Sequence, residues 1–122
     1  MNPYPHFTDD ELDCPCGCGL RMNHEFMDKV EAMRRSAGFP FPVNSGARCK
    51  DYDESIGGKG PHRTGRALDI RISGEQAFEL LRLATAYGMK GIGVKQHGDW
   101  SGRFIHIDDL DSDKRPRIWS YK

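Results

Sequence analysis

Two short segments of this chain alternate strictly between apolar and polar residues, and each carries a metal-capable side chain on its polar side. In ALDIRI, Leu68, Ile70 and Ile72 point one way, while Ala67, Asp69 and Arg71 point the other. In GRFIHIDDL, residues 102–110, Ile105 and Ile107 share one face, and Phe104, His106 and Asp108 share the opposite one. This period predicts two half-buried strands whose isoleucines cover a core. An aspartate in so apolar a run must find a partner, because burying it alone costs on the order of several kcal/mol.

Elsewhere the period is helical. Thr8-Asp9-Asp10-Glu11 has the form of a capping box and predicts a short helical turn. Asn23 is a good N-cap for a helix with Phe26, Val30, Met33 and Ala37 on one stripe, and Gly38 with the following FPFP closes it. Ser73-Gly74-Glu75-Gln76 offers another capping box before Ala77, Leu80, Leu81 and Ala84, with closure near Gly88. Short strands are expected at residues 43–45 and in GIGVK at residues 91–95. Residues 50–66 are polar and glycine-rich and read as a long loop. The tail is expected to fold back over the body. No internal repeat or linker divides the 122 residues, so one α+β domain is expected: a small antiparallel sheet with helices packed on one face.

Eighteen acidic residues balance eighteen basic ones, which argues against a nucleic-acid partner. No stretch approaches the roughly 20 apolar residues of a membrane span. MNPYPHFTDDEL lacks the basic-then-apolar order of a secretory signal, so work outside the cytoplasm would require export by a partner or release by lysis. A monomer is expected.

Four cysteines, Cys14, Cys16, Cys18 and Cys49, admit three readings: reduced or partly paired thiols, a disulfide from Cys49 to one of the others, or a second metal. The alternation in CPCGCG is a poor match to the paired C-x2-C spacing of a zinc ribbon.

If the two alternating strands are neighbours in register, Asp69 and His106 project from the same surface. His62, in the segment entering the first strand, can reach over it. Two histidines and one aspartate with an open fourth position suit a catalytic zinc. The plainer alternatives are a hydrogen-bonded structural histidine and an Asp69–Arg71 ion pair.

GPHRTGRALDI followed by FIHID resembles the S-x-H-x-x-G-x-A-x-D and H-x-D signatures of the zinc D-alanyl-D-alanine carboxypeptidase family. That family includes L-alanyl-D-glutamate endolysin peptidases and shares its fold with the hedgehog signalling domain. SGARC at residues 45–49 resembles the family's S-G-x-R segment, and FTDDELDCPCGCG the start of its small single-domain branch, so the similarity spans about residues 7–119. It implies that His62, Asp69 and His106 bind one catalytic zinc ion, that Gly65 permits a tight turn, and that Ala67 leaves room beside the metal. Arg48 matches the family arginine that stabilises an oxyanion or holds a substrate carboxylate.

Two positions depart from the family pattern. Gly60 replaces the serine two places before the first histidine, and Arg103 replaces the glutamate of E-x-x-H. The proton carrier must then come from elsewhere. Asp108 is the first candidate, with a supporting contact to His106 as its alternative role; His97 and Asp99 are rivals. Trp100 and Trp119 are candidate cleft walls, with packing as the plainer reading of each.

The resemblance implies a zinc peptidase that uses zinc-bound water against amide bonds in peptidoglycan peptide stems, as a carboxypeptidase or an endolysin-type endopeptidase of bacterial or phage origin. A non-catalytic zinc-binding module of the same fold is the second reading. In a third, the cysteines bind the only metal and the histidines merely pack.

Overall fold

The structure, a computed structural model, describes residues 2–122. Both alternating segments form strands. In chain order the strands are β1 (Val43–Ser45), β2 (Ala67–Arg71), β3 (Gly91–Lys95), β4 (Phe104–Asp108) and β5 (Arg117–Ser120), arranged β1-β2-β4-β3-β5 in one sheet. The helices are α1 (Asp9–Leu12), α2 (His24–Ala37), α3 (Lys50–Ser55) and α4 (Gly74–Ala86). Among the described residues no helix is long and apolar enough to cross a membrane.

β4 lies at the centre, antiparallel to β2 on one side and β3 on the other. The α+β expectation holds, but the sheet is mixed rather than wholly antiparallel. After β4 the chain reverses and passes beyond β3 before pairing, so β5 runs parallel to β3. The predicted folding back of the tail is this fifth strand.

Leu68, Ile70, Ile105 and Ile107 are fully buried on one sheet face. Phe26, Met27, Val30 and Met33 of α2, with Leu80, Leu83 and Ala84 of α4, join them in one apolar cluster. Each such side chain contributes roughly 1.5–3 kcal/mol on leaving water. The two long helices therefore cover only the isoleucine face, as expected. Their starts differ from each other. Asn23 accepts from the Phe26 amide as predicted, whereas Ser73 makes no side-chain cap bond, so the second predicted capping box is not formed.

Residues 50–66 are not the long loop that their composition suggested. Lys50–Ser55 form α3, capped by the Cys49 thiol, and Pro61–Thr64 form a 3-10 turn. Buried Asp53 bonds Arg48 and Arg63, which ties the helix to both flanking segments. A hydrophobicity pattern does not register order of this kind, because salt bridges rather than an apolar stripe hold it.

The other sheet face is shaped by glycine. On β3, Ile92 and Val94 turn to the core while Gly91 and Gly93 face the opposite side. A Cβ on Gly93 would sit 2.5 Å from Trp119 Nε1, and one on Gly91 would reach 2.5 Å from Arg115 Nε. The missing side chains let Trp119 and Arg115 reach across β3 to His106 and Asp108 of β4. Gly93→Ala is accordingly expected to destabilise the fold by about 1–3 kcal/mol through overpacking, measured as a lower urea midpoint at unchanged m-value.

Candidate metal centre

Asp69 and His106 are directly opposed partners in the β2–β4 register. Their side chains meet on the face away from the isoleucines, with Asp69 Oδ1 2.9 Å from His106 Nδ1. The 3-10 turn brings buried His62 to the same oxygen, its Nε2 3.2 Å away. One nitrogen from each imidazole and one carboxylate oxygen thus lie within 4.8 Å of one another. The three residues singled out from spacing converge. The Asp69–Arg71 pair posed as an alternative is not formed, since Arg71 is exposed and Asp69 bonds the imidazoles and Arg48 instead.

Hydrogen bonds behind the imidazoles fix which nitrogen faces inward. His62 Nδ1 is 2.7 Å from the Gly46 carbonyl, which can only accept, so Nδ1 is the donor there and Nε2 is the nitrogen turned toward Asp69. His106 Nε2 donates to Asp108 Oδ2 at 2.7 Å, leaving Nδ1 toward Asp69. Burial works against the charge on Asp69, but the bonds from His106 and His62 outweigh it and hold the carboxyl well below the usual carboxylate range. For His106, burial pulls the pKa down, and the bonds to Asp108 and Asp69 win and raise it. This donor set, two oriented imidazoles and one ionised carboxylate, fits a zinc ion. A bound ion would replace the proton that His106 otherwise shares with Asp69.

Asp108 is fully buried and lies at the edge of the His106 ring opposite Asp69. Arg115 grips it through Nε and Nη2, at 3.0 and 2.9 Å. Burial raises its pKa, but His106 and Arg115 pull the carboxyl down to about 2. Of the two roles expected for Asp108, this position fits the support of His106 and not access to a substrate proton. The geometry does not favour its rivals either. His97 meets the Tyr121 carbonyl and Asp99 precedes a short 3-10 turn, and neither lines the cleft beside the triad.

That cleft has a volume of about 400 Å³. Arg48 and Asp69 form part of its wall, with Lys59, Phe104, Trp119 and Tyr121 around them. Arg48 is held from three directions: Nε donates to Ser45 Oγ at 2.7 Å, Nη1 to Asp53 at 3.2 Å, and Nη2 to Asp69 Oδ2 at 3.3 Å. Trp119 lines the cleft and packs against His106 at a tilt of 49°, with ring centroids 5.2 Å apart. Trp100 does not line the cleft; it is exposed beneath the Arg103 guanidinium. Arg103 donates to the Gly98 carbonyl, so no acid and no free base stands at that departure. Gly60, the other departure, has φ 115°, a conformation that a serine would adopt only with strain.

Several contributors escaped the sequence reading. Tyr121 belongs to the tail, where no pattern singles it out, yet its ring lines the cleft, and burial pushes its phenol pKa up. Arg115 and Asp53 lie in polar stretches of the sequence. No periodicity marks them, and their roles depend on contacts with Asp108 and Arg48 that only the fold creates.

The sequence model of one protein family, described as Peptidase M15, matches residues 5–108. No curated protein matches the chain.

Burial raises the Asp53 pKa, and the bonds from Arg63 and Arg48 outweigh this and lower it. Its stabilising effect is therefore complete above the unfolded-state value near ~3.9 and is lost as pH falls through the lower folded-state value. Asp53→Asn is expected to lose roughly 1–3 kcal/mol at neutral pH. In urea titrations across pH, the gap to the parent protein should close only in the acid range.

Proposed function

The chain belongs to the peptidase M15 family, and on that premise we propose that it is a zinc-dependent hydrolase of amide bonds in the peptide stems of bacterial peptidoglycan. The observation that carries the proposal is the convergence of His62, Asp69 and His106 at the wall of an open cleft, with Arg48 beside them. Zinc bound by these three side chains supplies a Lewis acid and lowers the pKa of water toward about 7.

The chain's own residues do the rest. The Gly46 carbonyl and Asp108 hold the two imidazoles in the tautomers that binding requires. Arg115 keeps Asp108 ionised, so Asp108 is a positioning residue. Arg48, fixed by Ser45 and Asp53, presents a planar guanidinium to the cleft, where it stabilises oxyanion charge or holds a stem carboxylate. Lys59 adds a second cation to the same wall, which suits a substrate rich in carboxylates. Tyr121 keeps its phenolic proton at neutral pH and is a donor toward the reacting amide.

One observation favours a second reading, a zinc-holding module without turnover: Asp69 is the sole carboxylate residue among those lining the cleft. Mass spectrometry of purified peptidoglycan incubated with the zinc-loaded protein decides between the two. Release of stem fragments is expected, and it should fall to background, with loss of bound zinc, in His62→Ala and Asp69→Ala. A fully loaded protein that releases no fragment would overturn hydrolysis and leave the binding module. Tyr121→Phe should lower kcat about 100-fold at unchanged zinc content. Asp108→Asn should weaken zinc affinity about 10–100-fold, read by competition with a chelating dye.

A further inference from the structure

The three alternating cysteines and Cys49, 31 residues beyond the last of them, end at one point in space. Their four sulfur atoms lie within 4.8 Å of one another. Cys14 Sγ is 3.4 Å from Cys16 Sγ, and Cys16 Sγ is 3.5 Å from Cys49 Sγ. Four sulfurs around one zinc, with bonds of about 2.3 Å, stand about 3.8 Å apart. The cluster is therefore close to the size of a single tetrahedral site and too tight for a multinuclear one. Two backbone amides already point at the sulfurs: Cys49 N–H donates to Cys14 Sγ at 3.3 Å, and Tyr52 N–H to Cys49 Sγ at 3.4 Å. Donors of this kind stabilise thiolates.

Little else orders this part of the chain. The loop closes through Cys14 N–H to the Leu20 carbonyl and Gly17 N–H to the Cys14 carbonyl, and Cys16 and Cys18 are exposed. Packing does not explain why four thiols gather here. Spacing alone hid the arrangement, because a ribbon delivers its ligands in pairs, whereas here one loop delivers three and the cap of α3 delivers the fourth.

We propose that Cys14, Cys16, Cys18 and Cys49 form a second metal centre, a tetrathiolate site for one zinc ion, separate from the His62–Asp69–His106 centre. Zinc entering the site displaces four thiol protons and leaves two net negative charges on the centre. Its role is structural. It staples the loop after α1 to Cys49, the neighbour of Arg48, in a segment where Ala47 N–H already bonds the Leu12 carbonyl at 2.8 Å. The arrangement holds in place the strand end that supplies the Gly46 carbonyl to His62 and Arg48 to the cleft.

Cobalt(II) reconstitution of the full chain tests this without relying on activity. A thiolate-to-cobalt charge-transfer band in the near ultraviolet and tetrahedral bands in the visible are expected. Both should survive in His62→Ala/His106→Ala, which removes the other centre, and the charge-transfer band should disappear in Cys16→Ser/Cys18→Ser. Metal analysis should give two zinc ions in the parent chain and one in the histidine variant. Absence of the charge-transfer band from the parent chain would overturn the proposal, whether or not the cysteine variant folds. Finding these cysteines joined as disulfides by non-reducing mass spectrometry would do the same.

Discussion

The register between β2 and β4 governs this molecule. Asp69 opposes His106 on one face of the sheet while Leu68, Ile70, Ile105 and Ile107 fill the core on the other. A slip of one residue would turn the isoleucines to solvent and drive the carboxylate into the apolar layer. Burial of the isoleucines thus fixes the position of the metal-binding groups. The chemistry of the open face is aligned by hydrophobic pressure from the closed one.

Around that alignment lies a set of buried or half-buried polar contacts, each with a definite task. The Gly46 carbonyl orients His62, Asp108 with Arg115 orients His106, and Asp53 with Ser45 steadies Arg48. No buried side-chain nitrogen or oxygen among the described residues lacks a hydrogen-bond partner. This completeness matters because an unpaired charge beside a metal centre would either neutralise itself or pull a ligand out of line.

The sequence disclosed what depends on periodicity and local motif. Both alternating strands, the two long helices and the triad of His62, Asp69 and His106 were legible: alternation assigns Asp69 and His106 to one face, and His62 stands in the segment entering β2 and matches the family signature. What stayed hidden depends on contacts across the fold. α3 is anchored by Asp53 rather than by an apolar stripe, so composition made it look like loop. Alternation placed Asp108 correctly on the face of His106, but not on the far side of its ring. The parallel pairing of β5 follows from the route of the chain past β3, which no local pattern encodes. The glycines of β3 were visible as letters, yet their purpose needed Trp119 and Arg115 to be seen above them.

The order of strands across the sheet has a consequence for the newborn chain. β2 is flanked by β1 and β4, and β4 is the next-to-last strand to be synthesised. While β2 leaves the ribosome, its long-range partner does not yet exist, and Asp69 has no His106 to meet. The centre therefore comes into being late and all at once, when the middle of the sheet closes. A peptide ending before β4 would keep two of the ligands, His62 and Asp69, and none of the geometry.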